Sequence, residues 1–215
     1  MKTFSSVLLW ICDVQPLSDP SLFARGLFLL PWEERREQVM RYRFEKDRRL
    51  CLGAGLLLAC ALREAGAEDL RLRVLPNGKP ELAHVPDLHF NLSHSGTLAV
   101  CAVAADPVGA DVETLQKADP AVGAVCFRSA EQEWIRNAGD PDRAFTRLWT
   151  RKESLLKLRG EGLALDPASF SVLPEEDGAR DTRFFETEIA GHLICVCTQK
   201  NNEVILKHRQ IDQLC

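Results

Sequence analysis

The chain has 215 residues, with 27 Lys and Arg against 31 Asp and Glu, a formal net charge of −4 and 46% hydrophobic residues. That balance excludes disorder, collagen and coiled coil, and a folded chain of this length buries roughly 70% of its unfolded surface, enough for a core without disulfide staples. With no excess of positive charge, neither nucleic acid nor a membrane surface is an expected partner, and any anion must be held by a local cluster of cations.

The apolar stretch Val7 to Cys12 is too short for a signal peptide and ends at Asp13 with no small-residue cleavage site. No apolar run reaches the roughly 18 residues of a membrane span. Pro31 opens a charged segment, Trp32 to Lys46, that reads as one exposed helix. A second helix follows directly, with apolar residues at 50, 54, 57, 58, 61 and 62 on one face and Gly66 as its stop. Leu70, Leu72 and Val74 alternate with Arg71 and Arg73 as in a half-buried strand, and Pro76-Asn77-Gly78-Lys79-Pro80 supplies a turn. Leu88, Phe90 and Leu92 alternate again, Thr97 to Ala104 reads as a strand covered on both faces, and Val108 to Val112 as another. These strands are expected to assemble into one central sheet.

In the second half, Ser129 with Gln132 resembles a capping box opening a short helix, and Asp140-Pro141 opens a longer one that ends at Gly160. Its apolar face is Ala144, Phe145, Leu148, Trp149, Leu155 and Leu156. Residues 170–173, 183–189, 192–198 and 204–211 read as strands. The eight cysteines (Cys12, Cys51, Cys60, Cys101, Cys126, Cys195, Cys197 and Cys215) form no CxxC pair and sit mostly in apolar runs. They read as reduced core thiols of a cytoplasmic protein.

The halves echo each other. Arg49-Leu50 with Leu57-Leu58 returns as Arg147-Leu148 with Leu155-Leu156, and residues 95–100 return weakly at 190–195, at offsets of about 95 to 98 positions. The expected fold is therefore α+β, with two similar halves, 1–107 and 108–215, related by a pseudo-twofold axis and a ligand cleft between them.

Asp111 and Glu113 stand two apart, on one face of an extended segment. They repel unless a cation lies between them, and a hard divalent ion such as Mg2+ is one candidate; the solvated face of an edge strand is the other. Glu153 and Lys157 stand one helical turn apart, as either a surface ion pair worth about 0.2–0.5 kcal/mol or a base beside a phosphate-holding cation.

Gly-x-Asp-x-Glu at 109–113, followed some forty residues later by Trp149-Thr150-x-Lys152-Glu153-Ser154-x-x-Lys157, resembles the paired motifs of the 4'-phosphopantetheinyl transferase superfamily. Further matches are residues 90–96 (Phe-Asn-Leu-Ser-His-Ser-Gly), Gly78-Lys79-Pro80, Phe127 with Ser129 and Glu131, and Arg48-Arg49. The length and duplication resemble the monomeric, pseudo-dimeric type that activates peptide and polyketide synthetases. The resemblance implies transfer of the phosphopantetheine arm of coenzyme A to a serine of an apo acyl or peptidyl carrier protein, releasing adenosine 3',5'-bisphosphate. It implies Mg2+ held by Asp111, Glu113 and Glu153, with Glu153 as base, Lys157 as the cation on the diphosphate and Asp111 in the catalytic set. It further implies coenzyme A contacts from Arg49, Lys79, Pro80, Ser93, His94 and Lys157. Taken singly, His94 also reads as a turn histidine, Arg49 as a solvated helix charge and Phe127 as a core residue beside the carrier-binding region. Ala110 replaces the usual branched residue, and Glu33-Glu34-Arg35-Arg36 stands where relatives offer lysines for the 3'-phosphate. Two other classes are weighed: a catalytically silent module binding coenzyme A or a carrier protein, and a Mg2+-dependent nucleotide hydrolase.

Overall fold

The structure, a computed structural model, describes residues 6–160, 165–174, 176–200 and 202–214. The first apolar stretch is strand β1 (Ser6–Asp13). After a short 3-10 turn come helices α1 (Pro20–Leu29), α2 (Glu33–Arg41) and α3 (Glu45–Glu64). The single exposed helix expected over Trp32 to Lys46 is broken. Tyr42 to Phe44 is extended, Arg48 Nε donates to the Tyr42 carbonyl at 2.8 Å, and Glu45 and Asp47 place negative charge in the first turn of α3.

A small hairpin, β2 (Leu72–Val74) and β3 (Pro80–Leu82), precedes the longer β4 (His89–Ser95) and β5 (Leu98–Ala104). The second half begins with β6 (Val108–Thr114) and continues through α4 (Pro120–Cys126), α5 (Ser129–Arg136) and α6 (Pro141–Arg159). It then adds β7 (Arg183–Ile189), β8 (His192–Thr198) and β9 (Glu203–Arg209).

Besides the β2–β3 hairpin, two larger sheets form among the described residues, where one central sheet was expected. The first runs β4-β5-β1-β9 and the second β6-β8-β7. In each half, a strand, a long helix and a hairpin give the same order, with hairpin strands antiparallel and the second paired to the opening strand. The sequence echoes fall on equivalent elements: Arg49 and Arg147 on α3 and α6, residues 95–100 and 190–195 across the β4–β5 and β7–β8 turns. β9 departs from the repeat by pairing with β1 in parallel, Val7 opposite Val204.

The period of two divides each inner strand between two cores. Val7, Leu9, Ile11, Val100 and Ala102 meet Val112, Ile194 and Val196 between the sheets. The alternate residues Trp10, Cys12, Cys101 and Val103 face the apolar stripe of α3. Behind the second sheet, α6 packs through Phe145, Leu148 and Leu155. No helix among the described residues is long and apolar enough to cross a membrane.

Two local expectations change. The cap of α5 is built by Glu131, whose carboxylate accepts from Arg128 N at 2.9 Å, while Gln132 Nε2 donates to the Phe127 carbonyl at 2.9 Å. Residues 170–173 are not a strand. Ser171 N and Val172 N donate to the carboxylates of Asp177 and Glu131, both at 2.9 Å, so side chains serve where a neighbouring strand would.

Candidate active site

The site lies where β4, β6 and α6 meet. On β4, Asn91, Ser93 and Ser95 pair with Ala102, Val100 and Leu98 and so share one face of the strand. That face is turned towards β6. Asn91 Oδ1 accepts from Ala110 N at 3.1 Å, Ser93 Oγ donates to Asp111 Oδ1 at 2.8 Å, and Ser95 Oγ donates to Glu113 Oε2 at 2.7 Å. Gln116 Nε2 adds a bond to Glu113 Oε2 at 3.2 Å.

Gly109 sets the distance between strand and helix. A Cβ there would stand 1.9 Å from the Ser154 carbonyl and 2.7 Å from Leu158 N, so only glycine lets the α6 backbone come this close. The approach brings Lys157 Nζ to 2.6 Å from Asp111 Oδ1 and 2.9 Å from Ser93 Oγ. Glu153, one turn back on the same helix, has no hydrogen-bond partner among the described residues and is within the electrostatic reach of Lys157, Asp111 and Glu113.

Two carboxyls are pushed above their ordinary range. For Glu113 the main cause is burial, opposed by the Ser95 hydrogen bond and reinforced by the Asp111 carboxylate. For Glu153 it is again burial, opposed by Lys157 and reinforced by Asp111 and Glu113. The other oxygen of Asp111, Oδ2, is buried without a hydrogen-bond partner among the described residues. Such an atom carries a desolvation cost of about 1–3 kcal/mol until something positive reaches it.

These groups fit a hard divalent cation: oxygen donors only, mutual repulsion to relieve, and one buried lone pair unused. Among the described residues, no group of three or more His, Cys, Asp or Glu side chains is placed to hold a metal ion, and Lys157 takes Asp111 Oδ1.

A cleft of about 270 Å³ opens beside Asn91 and Lys157, lined also by Asn77, Lys79, Pro80, Phe90 and Leu92. Lys79 and Pro80 therefore stand beside Lys157, as does Ser93. His94 alternates to the other face of β4, towards α3 and α2. Its imidazole is held below the ordinary histidine range by partial desolvation, and then by the cationic Arg35 and Lys157. Arg35 Nε bonds the Cys51 carbonyl at 3.3 Å. Arg49 lines a separate hollow of about 200 Å³ with Leu17, Phe23, Glu45 and Arg48.

Lys152, which precedes Glu153 in the motif, points away from the cleft. Lys152 and Glu131 are both fully buried, 2.8 Å apart, and Lys152 Nζ also donates to the Pro167 and Phe170 carbonyls at 2.7 and 2.6 Å. Phe127 is a core residue, set edge-on against Phe145 with ring centroids 5.3 Å apart. Asn91, which accepts from Ala110 N, and the Glu113 donors Ser95 and Gln116 were missed from the sequence. The signal was there, as polar residues at 91, 93 and 95 alternating through an apolar strand.

Residues 107–207 match the family profile described as the 4'-phosphopantetheinyl transferase superfamily, and residues 18–107 match that of the 4'-phosphopantetheinyl transferase N-terminal region. The chain is 32% identical over 205 residues to 4'-phosphopantetheinyl transferase psf-1 of Bacillus pumilus, covering 87% of this chain and 88% of that one. It is 34% identical to 4'-phosphopantetheinyl transferase Sfp of Bacillus subtilis (strain 168), over 76% of this chain and 75% of that one. With Asp111 of the carboxylate motif bonded to Lys157 of the lysine motif, the chain belongs to the 4'-phosphopantetheinyl transferase superfamily and is a transferase of that kind.

Proposed function

We propose that this enzyme, from the cleft between residues 1–107 and 108–215, transfers the phosphopantetheine arm of coenzyme A to a serine of an apo carrier protein, releasing adenosine 3',5'-bisphosphate. The observation that carries this reading is the meeting of Lys157, which lines the cleft, with Asp111, with Glu113 and Glu153 within electrostatic reach and Asp111 Oδ2 buried without a hydrogen-bond partner among the described residues.

The chemistry needs little covalent help and much placement of charge. The carrier serine oxygen forms a bond to the β-phosphorus, the bridging bond to the α-phosphate breaks, and the bisphosphate leaves with its electron pair. Glu153 receives the serine proton; its raised pKa keeps it basic enough to accept one and costs little once it is neutral. Lys157 supplies a fixed positive charge where negative charge gathers on the bridging oxygen, held in place by Asp111 and Ser93. Asp111, Glu113 and Glu153 would hold Mg2+, which supplies charge neutralisation of the diphosphate. Ser95 and Gln116 orient Glu113 for that role. Lys79 and Pro80 border the adenine side of the cleft. His94, held below the ordinary histidine range, offers the 3'-phosphate a hydrogen bond, and Arg35, whose field reaches His94, supplies the cation, with Arg49 the alternative cation from its separate hollow.

Intact mass spectrometry of an apo carrier protein incubated with the enzyme, coenzyme A and Mg2+ tests this directly. The expected result is a gain of one phosphopantetheine, lost with EDTA and on a carrier lacking its acceptor serine. Coenzyme A binding without transfer to any fatty-acid or peptide-synthetase carrier would favour the silent binding module.

A further inference from the structure

Lys79 belongs to the turn that lines the cleft, and its ammonium is engaged by main-chain carbonyls. It crosses to the other half and donates to the main-chain oxygen of Lys157 at 2.8 Å and of Leu158 at 3.4 Å. Both carbonyls belong to the last turn of α6, and the negative end of the helix dipole favours a cation there.

The turn is built to deliver this contact. Gly78, at φ +84°, closes it with Gly78 N on the Leu75 carbonyl at 2.8 Å and Leu75 N on the Lys79 carbonyl at 3.0 Å. Asn77 Oδ1 accepts from Lys79 N at 3.1 Å. On the helix side, Gly160 ends α6 at φ +71°, and a Cβ there would stand 2.7 Å from Asn77 Nδ2. Two glycines thus let the turn of one half close on the helix end of the other. Lys79 is also largely withdrawn from water, which places its pKa below the ordinary lysine range.

We propose that Lys79 is a positioning residue: it latches the nucleotide-side turn of the N-terminal half onto the last turn of α6 and so holds the Lys157 backbone where its ammonium meets Asp111 and Ser93. Filling of the adenine side of the cleft and placement of the cation on the diphosphate are then mechanically one event. The inference rests on the reading of the cleft as the transfer site.

The test is steady-state kinetics with coenzyme A, Mg2+ and an apo carrier protein on wild type, Lys79→Met, Lys79→Arg and Lys157→Met, with Lys79→Met also combined with Lys157→Met. Lys79→Met should lower kcat about tenfold or more, because a small misplacement of a charged group costs that much, while KM for coenzyme A moves less than about threefold. Lys79→Arg, which keeps a cation at the helix end, should recover most of the loss. In the Lys157→Met background, Lys79→Met should change kcat by less than about twofold, since its effect runs through a side chain already gone. A rise in KM at unchanged kcat would overturn the latch and make Lys79 a direct nucleotide contact. A full additional loss of kcat in the double variant would overturn it equally. Should Lys79→Met not fold, Lys79→Gln carries the same comparison. No transfer by wild type on any carrier would sink the parent reading and the latch with it, a result distinct from either variant outcome.

Discussion

Two lysines five positions apart on α6, Lys152 and Lys157, each meet a carboxylate from another element, and their surroundings are opposites. Lys152 has three donors and three acceptors: Glu131 and the carbonyls of Pro167 and Phe170. Glu131 in turn accepts from Arg128 N and Val172 N, and the Phe170 ring lies 4.6 Å from the ammonium. All three Lys152 donors and both Glu131 oxygens have partners, so no atom of that pair is left open to a ligand. Lys157 and Asp111 are 27% and 4% exposed at their side chains, and Asp111 Oδ2 has no hydrogen-bond partner among the described residues. Burial of charge is common to both sites, so burial does not mark function. Nor does an unpartnered buried atom by itself, since Trp10 Nε1 and His192 Nε2 share that state; what sets the second pair apart is a charged oxygen left open where its lysine lines a cleft, which is costly unless a ligand completes it.

The difference can be broken from the structural side first. Lys152→Met leaves Glu131 buried without its counter-ion and should lower stability by about 3–5 kcal/mol, read as a fall in denaturation midpoint. Replacing Glu131 by Leu together with Lys152→Met should return part of that loss, since the uncompensated charge is then gone. A Lys152→Met protein as stable as wild type would mean that the pair is not the anchor of α5 and the 166–173 segment. Next in size is Glu153→Gln, which keeps the shape and removes the base and one metal oxygen. Transfer should fall about a thousandfold or more while coenzyme A binding, followed by calorimetry, survives in part. Full activity in that variant would take Glu153 out of the chemistry.

Lys157→Met sharpens the contrast with its neighbour. It should cost about 1–2 kcal/mol of stability, because the pair is partly open to solvent, but lower kcat about a hundredfold through loss of a preorganised charge. If Lys157→Met destabilised as much as Lys152→Met and spared kcat, the two pairs would have one role and the argument from unused valence would fail.

The sequence spacing placed Asp111 with Glu113 and Glu153 with Lys157 on shared faces, because periods of 2 and 3.6 are local properties. It could not show that β6 and α6 close on each other, since that approach depends on Gly109 meeting the Ser154 carbonyl across the fold. The same limit explains the wrong expectation of one sheet. Continuous apolar runs read as strands at β5 and β6 and as no more than an apolar stretch at β1, and none of them shows that β1 pairs with β5 and, in parallel, with the distant β9. Residues 170–173 read as a strand because Phe170 and Val172 alternate with Ser171, yet Ser171 is buried as well, and only the positions of Glu131 and Asp177 reveal that carboxylates bond that backbone instead. Leu88, Phe90 and Leu92 carry the apolar period of β4, while of its polar face only Ser93 was expected in the site; Ser93 and Ser95 bond the two carboxylates of β6.

The smallest effect separates the two arginines that the sequence offers for the 3'-phosphate. Arg35 bears electrostatically on His94 from α2, whereas Arg49 lines a hollow on another flank of α3, where it sits 3.9 Å from Glu45. A phosphate held between His94 and a guanidinium gains charge-assisted bonds in both the ground state and the transition state, so losing the guanidinium should raise KM and leave kcat nearly alone. Arg35→Ala should therefore raise KM for coenzyme A about tenfold, and Arg49→Ala about threefold, each with kcat changed less than twofold. With 3'-dephospho-coenzyme A as donor both differences should vanish, because the group they bind is missing. A larger KM effect at Arg49 than at Arg35 would move the 3'-phosphate to the hollow beside Arg48. An undiminished effect on the dephospho donor would show that the arginine acts on the fold of α2 and α3 and not on the phosphate. Either outcome would bear on the opening contrast, since Lys152 shows that a cation aimed at a carboxylate and carbonyls can serve the fold alone.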